Sequence, residues 1–108
     1  MNIEELCEYC ESKQDAEESF PFGPETLVFK VKGKIFLLTS LNKQPLQFNV
    51  KCDPEKAIEL REKFESILPG YHMNKKWWNT IVIDGSITNH QLKEFIDDSY
   101  DLVSAGKK

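Results

Sequence analysis

The sequence lacks several features that mark well-defined classes of protein. None of its apolar runs approaches the roughly 20 residues needed to cross a bilayer, and its acidic N-terminus lacks the basic segment of a signal peptide. Cysteine is scarce, and an odd number of three does not fit a disulfide framework. These absences predict a cytoplasmic protein with reduced thiols and no membrane partner.

Motifs of catalysis and metal binding are missing as well. The chain has no Gly-x-Ser-x-Gly, no phosphate-cradling glycine loop and no His-Glu-x-x-His. Cys7 and Cys10 form a Cys-x-x-Cys pair, but Cys52, His72 and His90 are scattered and supply no second ligand pair. Both paired cysteines are expected to be core thiols, and His72 is expected to be structural. We predict no enzymatic activity, no cofactor and no metal site.

Charge is unevenly spread over the 108 residues. The net charge is -4, with 40% hydrophobic and 30% charged residues, which is typical of one globular domain. Residues 1–20 carry seven acids and one lysine, a net charge of -6, and the remainder carries +2. The overall sign disfavours a strong sequence-blind nucleic-acid binder but allows a local basic face. The N-terminal carboxylates would suit a hard cation, although acids four apart on a helix usually form a solvated face.

Apolar spacing predicts three helices and four strands in the order α-β-β-β-α-β-α. The predicted helices run from Ile3 to Ser12 with Asn2 and Glu5 as a capping box, from Pro54 to Leu68 with Asp53 as the cap, and onward from Thr88. The predicted strands are 26–31, 35–40, 46–52 and 78–83. Short turns at 32–34 and 42–45 imply an antiparallel sheet with helices on one face. The expected fold is a single-domain, two-layer α+β sandwich over residues 1–108.

Residues 71–80 concentrate the side chains best suited to a site. They read Tyr-His-Met-Asn-Lys-Lys-Trp-Trp-Asn-Thr and include both tryptophans. Trp78 leads into a strand and is predicted to lie in the core. The other residues of this segment allow three interpretations. They form a structural loop, a nucleic-acid surface where lysines contact phosphate and Trp77 stacks on a base, or a protein-binding hot spot. Lys30, Lys32 and Lys34 would extend a basic surface if their hairpin lies beside it.

Several motifs together resemble the MmcQ/YjbR family. The resemblance is carried by the run 69–80 continued by Asp84-Gly85-Ser86, by Glu8-Tyr9-Cys10, by 20–23 with 26–31, by Lys51-Cys52-Asp53-Pro54 and by 99–103. It covers nearly the whole chain, in order. It implies an α+β fold similar to CyaY (frataxin), in small bacterial proteins described as DNA-binding through a double-wing-like arrangement.

Carried over by position, the resemblance implies Asn74, Lys75, Lys76 and Trp77 as nucleic-acid-binding residues, with Lys30 from the first hairpin. The basic surface of that hairpin adds Lys32 to the predicted set. The family pattern has His immediately before the strand Trp, where this chain has Trp77. The Trp77 ring can still stack on a base, but it cannot gain or lose a proton as the His side chain would. The predicted function is a non-enzymatic, monomeric DNA-binding protein. The alternatives are a protein-interaction or chaperone-like module using Trp77, and a CyaY-like metal-binding protein using the acidic first helix.

Overall fold

The computed structural model describes residues 1–71 and 73–106, so the prediction for His72 lies outside the described residues. The elements are α1 (Ile3–Glu11), β1 (Glu17–Ser19), β2 (Thr26–Val31), β3 (Lys34–Ser40), β4 (Gln47–Lys51), α2 (Pro54–Lys63), β5 (Ile67–Pro69), β6 (Trp78–Val82) and α3 (Asn89–Ser104). The strands form one antiparallel sheet in the order β1-β2-β3-β4-β6-β5.

The three helices pack on one face of the sheet, with α3 between the other two. Tyr9 of α1 donates a hydrogen bond of 2.6 Å to Asp97 of α3. On the other side of α3, the ring of Phe95 contacts Phe64 at the end of α2, with ring centroids 6.3 Å apart. The helices cover a core that includes Leu6, Phe29, Phe48, Ile81 and Ile96. The predicted single-domain α+β sandwich is confirmed in its fold class.

Two short strands were missed, and the second helix was predicted too long. Phe64, Ile67 and Leu68 keep helical spacing, but the backbone turns extended at Phe64, with φ -124° and ψ 122°. Ile67 then pairs with Ile81 in the sheet. An apolar run of this length fits a helix end or a three-residue strand equally well, so periodicity could not separate them. β1 is equally short and acidic, so it shows no strand pattern in the sequence.

The predicted helix starts are confirmed. The side chain of Asn2 accepts the Glu5 amide while the Glu5 carboxylate accepts the Asn2 amide, which completes the capping box. Asp53 caps α2 ahead of Pro54, and Thr88 accepts the amide of the residue three positions on in α3. These local bonds fix where each helix leaves the sheet.

The turn between β2 and β3 also has the predicted form. Lys32 has a φ of 53° and Gly33 a φ of 77°. Positive φ at both central positions is the pattern of a type I′ turn, whose twist matches that of the flanking strands. The hairpin contains a bulge further along, because Phe29 pairs with Leu37 and Lys30 with Ile35, which leaves Phe36 without a partner on β2.

In the part of the chain that the structure describes, the opposite face of the sheet has no helix on it, yet much of it is buried. Val28, Leu38, Asn49, Thr80 and Trp78 alternate with the core residues along their strands and are each at most 8% exposed. Long connections between the strands therefore lie over this helix-free face. Within the described residues, no helix has the length and apolar character needed to cross a membrane.

Candidate functional site

The connection from β5 to β6 carries the predicted site, and its entry depends on a close approach of two backbones. We name residues 70–77 the basic–aromatic loop. The amide of Gly70 donates to the carbonyl of Trp78 at 2.8 Å, which closes the loop at its base. A Cβ atom at position 70 would lie 2.8 Å from the Trp78 Cβ. Position 70 therefore requires glycine, because any larger residue would clash with Trp78.

Asn74 shapes this loop. Its side-chain oxygen accepts the Lys76 amide at 3.0 Å, and its carbonyl accepts the Trp77 amide at 3.0 Å. This Asx-type turn reverses the chain and leaves the side chains of Lys75 and Lys76 exposed. The carbonyl of Lys75 accepts a hydrogen bond of 3.2 Å from Arg61 on α2. Asn74 therefore positions the two lysines while Arg61 ties the loop to the helix layer.

The two tryptophans separate into different environments. Trp78 is 7% exposed on the helix-free face, which confirms the prediction that it lies in the core. Trp77 is half-buried, and its carbonyl accepts the amide of Cys52 at 2.7 Å. The ammonium of Lys51 lies 5.4 Å from the centroid of the Trp77 ring, a cation–π geometry.

The structure does not bring the first hairpin beside this loop. Lys30 lies on β2, which is separated from β6 by three strand spacings, or about 14 Å. It stands opposite Glu17 of β1. The ammonium of Lys32 donates to the carbonyl of Ser104 at 2.9 Å, at the end of α3. The predicted residues therefore divide into a compact group in the loop and two lysines elsewhere.

Two further cations lie beside the compact group in the loop and were not predicted as site residues. Lys51 reaches Trp77 because β4 pairs directly with β6, with Lys51 opposite Trp78. Arg61 reaches the loop because α2 packs beside β5 and β6. Both contacts depend on strand order and helix placement, which residue spacing does not reveal. The candidate site therefore consists of Asn74, Lys75, Lys76 and Trp77 with Lys51 and Arg61, and we name it the basic–aromatic cluster.

A family model described as YjbR matches residues 11–102 of the chain. The chain belongs to the YjbR family. Among its relatives, the Escherichia coli O157:H7 protein YbdF is 43% identical over 90 residues, which cover 83% of this chain and 74% of YbdF. YjbR of Escherichia coli strain K12 is 32% identical over 100 residues, which cover 93% of this chain and 85% of YjbR. Both relatives are described as uncharacterized.

Solved structures similar to this YjbR-family chain have the same fold. A crystal structure from Deinococcus radiodurans, described as a DUF419 domain, has a TM-score of 0.91 and 38% identity, covering 99% of this chain and 82% of that one. A crystal structure from Pseudomonas syringae has a TM-score of 0.81 and 28% identity, covering 94% and 98%. The predictions of family and fold class are confirmed.

The cysteines of this YjbR-family protein are packing residues rather than members of the cluster, although the backbone amide of Cys52 donates to the Trp77 carbonyl. Cys10 and Cys52 are buried, Cys7 is half-buried, and all three are free. Burial, reinforced by the neighbouring Cys7, raises the pKa of Cys10 to about 12, and burial raises the pKa of Cys52 to about 11. Within 1–71 and 73–106, no group of three or more His, Cys, Asp or Glu side chains is placed to hold a metal ion. These thiols are packing residues in the described structure.

The raised thiol pKa values lead to a labelling prediction. At pH 8, a thiolate-directed reagent should modify native Cys10 and Cys52 far more slowly than the same residues in denaturant, because the attacking thiolate is nearly absent and the sulfur is shielded. Mass spectrometry after a short pulse should therefore find at most one label, on Cys7. A fully denatured sample should carry three labels, and three rapid labels on the native protein would contradict this packing.

Proposed function

We propose that this protein is a non-enzymatic, cytoplasmic DNA-binding protein that contacts unpaired DNA through the basic–aromatic cluster. The observation that carries the proposal is the grouping of four cations with Trp77: Lys51 lies 5.4 Å from the centroid of its ring, Lys75 and Lys76 precede it in the loop, and Arg61 donates to the Lys75 carbonyl. Cations contact phosphate, and an indole face stacks on a base. Binding of a single strand uses both cations and a stacking ring. The basic–aromatic cluster supplies them from one loop and from β4 and α2 beside it.

Three cations of the basic–aromatic cluster are available to an anion. Among the described residues, ion pairs join Lys13 with Asp97, Lys56 with Asp98, and His90 with Glu94. Arg61, Lys75 and Lys76 form none with the part of the chain that the structure describes. A phosphate that approaches them therefore does not have to displace a carboxylate, which favours binding through release of counterions.

Trp77 supports binding of an unpaired strand over a duplex. Stacking on a base contributes about 1–3 kcal/mol, but only where the base face is open. Lys51 beside the ring adds positive charge next to the stacking surface. The double-wing arrangement implied by the family resemblance would use a loop between strands in the same way, and the loop between β5 and β6 is the candidate for such a wing.

The acidic N-terminal segment does not oppose binding at this site. Its carboxylates lie in α1, in β1 and at Asp15 between them, and β1 is one edge of the sheet, whereas the basic–aromatic loop joins the two strands at the other edge. Five strand spacings of about 4.8 Å separate those edges. That distance exceeds the Debye length of about 8 Å at physiological ionic strength. A net charge of -4 is therefore compatible with a local basic site.

Replacing Lys75 and Lys76 together with alanine should weaken binding of a fluorescently labelled single-stranded oligonucleotide about tenfold at low salt. The slope of log affinity against log salt should fall by about 1.4, because each lost phosphate contact removes about 0.7 from the slope on a single strand. Anisotropy titrations at several salt concentrations would measure both quantities.

A matched control is available in the first hairpin. Lys30→Ala with Lys32→Ala removes the same charge from the two predicted residues that lie away from the loop. The proposal expects this double variant to bind nearly as well as the unmodified protein. If both double variants weakened oligonucleotide binding equally, net charge rather than the loop would determine the affinity. If the unmodified protein did not bind at low salt, the proposal would be refuted.

A protein partner is the second candidate function. Several apolar side chains are exposed: Phe20, Phe22, Leu41, Ile58, Leu68 and Tyr71. Tyr71, within the basic–aromatic loop, is 71% exposed, and exposed aromatic side chains are enriched in protein interfaces. Salt separates the two functions. An interface based on these apolar residues should persist at high salt, whereas phosphate contacts should weaken steeply.

A further inference from the structure

The helix-free face of the sheet contains a cavity of about 360 Å³, within the size range of small-ligand sites. Its floor is formed by side chains of β2, β3 and β4 that share this face: Thr26, Leu38, Ser40, Gln47 and Asn49. Phe22 and Met73 line it from two connections, and Lys43 lines it from the turn after β3. Met73 belongs to the basic–aromatic loop, so the cavity adjoins the proposed DNA site.

Asn49 is the most informative residue of the cavity. It is 5% exposed, and its side-chain oxygen accepts the Thr80 hydroxyl at 2.5 Å. That bond fixes the amide so that its nitrogen is the remaining donor. The nitrogen has no hydrogen-bond partner within residues 1–71 and 73–106. This nitrogen is not among the fully buried polar atoms that lack a partner in the described residues, so it is open to the cavity. A ligand acceptor at this point can take the place of water as its partner.

The surrounding groups define the chemistry of that ligand. Phe22 and Met73 offer an aromatic ring and a polarisable thioether, which suit a flat apolar surface. The amide of Gln47 and the hydroxyl of Thr26 have no side-chain hydrogen bonds to the described residues, and they provide further donors and acceptors for the edge of a ring. Lys43 supplies positive charge at the cavity and forms no ion pair with the described residues.

The turn that carries Lys43 is held in place. The hydroxyl of Ser40 donates to the side chain of Asn42 at 2.7 Å, and Asn42 donates in turn to Glu25 at 2.7 Å. These bonds link the turn after β3 to the connection that also carries Phe22. The wall and the cation are therefore supported by one hydrogen-bonded network, which favours a preformed site.

We infer that this cavity binds a nucleobase that carries a phosphate, with the base edge on Asn49 and Gln47, its faces towards Phe22 and Met73, and the phosphate near Lys43. The nucleotide can be free or can be an unpaired residue of a bound strand. The strand-borne case rests on the proposed function and extends it, since the loop that carries Lys75 and Lys76 also carries Met73. The free-nucleotide case does not depend on it.

Nuclear magnetic resonance of the 15N-labelled protein tests the inference directly. Adenosine and cytidine monophosphates are added separately, and the side-chain amide signals of Asn49 and Gln47 are followed. We expect the Asn49 signal to shift in a saturable manner with at least one of the two. Phe22→Ala and Lys43→Ala alter exposed residues and should keep the fold, yet each should weaken binding about fivefold or more, because each removes a wall or a charge contact.

Asn49→Asp provides the sharpest variant. It keeps an acceptor for the Thr80 hydroxyl and replaces the amide donor with a negative charge, so it should abolish binding of the mononucleotide. Circular dichroism establishes whether this variant is folded. If it is not, Phe22→Ala and Lys43→Ala decide the question. Unshifted Asn49 signals with both mononucleotides, together with unchanged oligonucleotide binding by the pocket variants, would overturn the inference.

The two proposals fail in distinguishable ways. Lys75→Ala with Lys76→Ala should weaken oligonucleotide binding and leave the mononucleotide shifts at Asn49 intact. If the oligonucleotide binds but neither pocket variant changes its affinity and Asn49 does not shift, the cavity inference is wrong and the proposed function stands. If mononucleotides shift Asn49 and no oligonucleotide binds, the cavity takes a free nucleotide and the proposed function is wrong.

Discussion

Ser99→Ala is expected to lower the free energy of unfolding by about 2–6 kcal/mol, since it removes the hydroxyl that bonds two backbone groups, at about 1–3 kcal/mol each. Ser99 is fully buried in α3. Its hydroxyl donates to the carbonyl of Phe36 at 2.5 Å and accepts the amide of Lys51 at 2.8 Å. One small side chain therefore joins the helix layer to two neighbouring strands.

Both strands are irregular where Ser99 meets them, which explains why no backbone group substitutes for it. Phe36 is the bulged residue of β3 and has no partner on β2. Lys51 lies beyond Val50, the last residue of β4 that pairs with β3. The Ser99 hydroxyl bonds polar groups of both residues, because a hydroxyl can both donate and accept. Ser99 thus supplies a hydrogen bond to the Phe36 carbonyl at the bulge.

Urea denaturation followed by circular dichroism would measure the loss in Ser99→Ala. Ser104→Ala is the matched control, because Ser104 lies on the same helix and, among the described residues, its hydroxyl bonds locally, to the carbonyl of Asp101 at 3.3 Å. The control should change stability by less than about 0.5 kcal/mol. A similarly small change for Ser99→Ala would contradict the bridging role. Since Lys51 lies beside Trp77, the variant should also alter the tryptophan emission of the folded protein.

The case of Ser99 shows how far the sequence could predict this fold. Its place in the apolar stripe of α3 follows from helical spacing, alongside Leu92, Phe95 and Ile96, and all four are buried. The bonds that make it important depend on a bulge and on the pairing of β3 with β4, neither of which leaves a local signal. Helix caps were predictable because each involves residues two or three positions apart. Hydrogen bonds between polar groups far apart in the sequence, such as those of Ser99, could not be predicted in this way.

The candidate site divides in the same way. The loop residues Asn74, Lys75, Lys76 and Trp77 were identified from their composition and from the family resemblance, and they lie together because they are consecutive. Lys51 joins them through strand order alone. The cavity on the helix-free face was missed entirely, because its lining residues come from four separate parts of the chain. Thr26, Gln47 and Asn49 read as ordinary solvent-facing positions of alternating strands.

Gly70→Ala is expected to destabilise the protein by about 3 kcal/mol, the upper end of the usual cost of overpacking. The added Cβ would lie 2.8 Å from the Cβ, 2.9 Å from the carbonyl oxygen and 3.0 Å from the carbonyl carbon of Trp78. Two of these are backbone atoms and the third is fixed to the backbone, so no side-chain rotation relieves the clash. The 2.8 Å hydrogen bond from Gly70 to Trp78 must lengthen, and the base of the basic–aromatic loop should open.

Gly85→Ala is the informative comparison because its cost has a different origin. Gly85 has a φ of 88° and no atom within 4 Å of an added Cβ, so alanine there should cost about 1–2 kcal/mol through backbone strain alone. Urea denaturation of both variants should therefore give the larger loss at Gly70. Only Gly70→Ala should also weaken oligonucleotide binding, because only it moves the segment that holds Lys75, Lys76 and Trp77. Equal losses of stability with unchanged binding would show that the approach of Gly70 to Trp78 does not position the site.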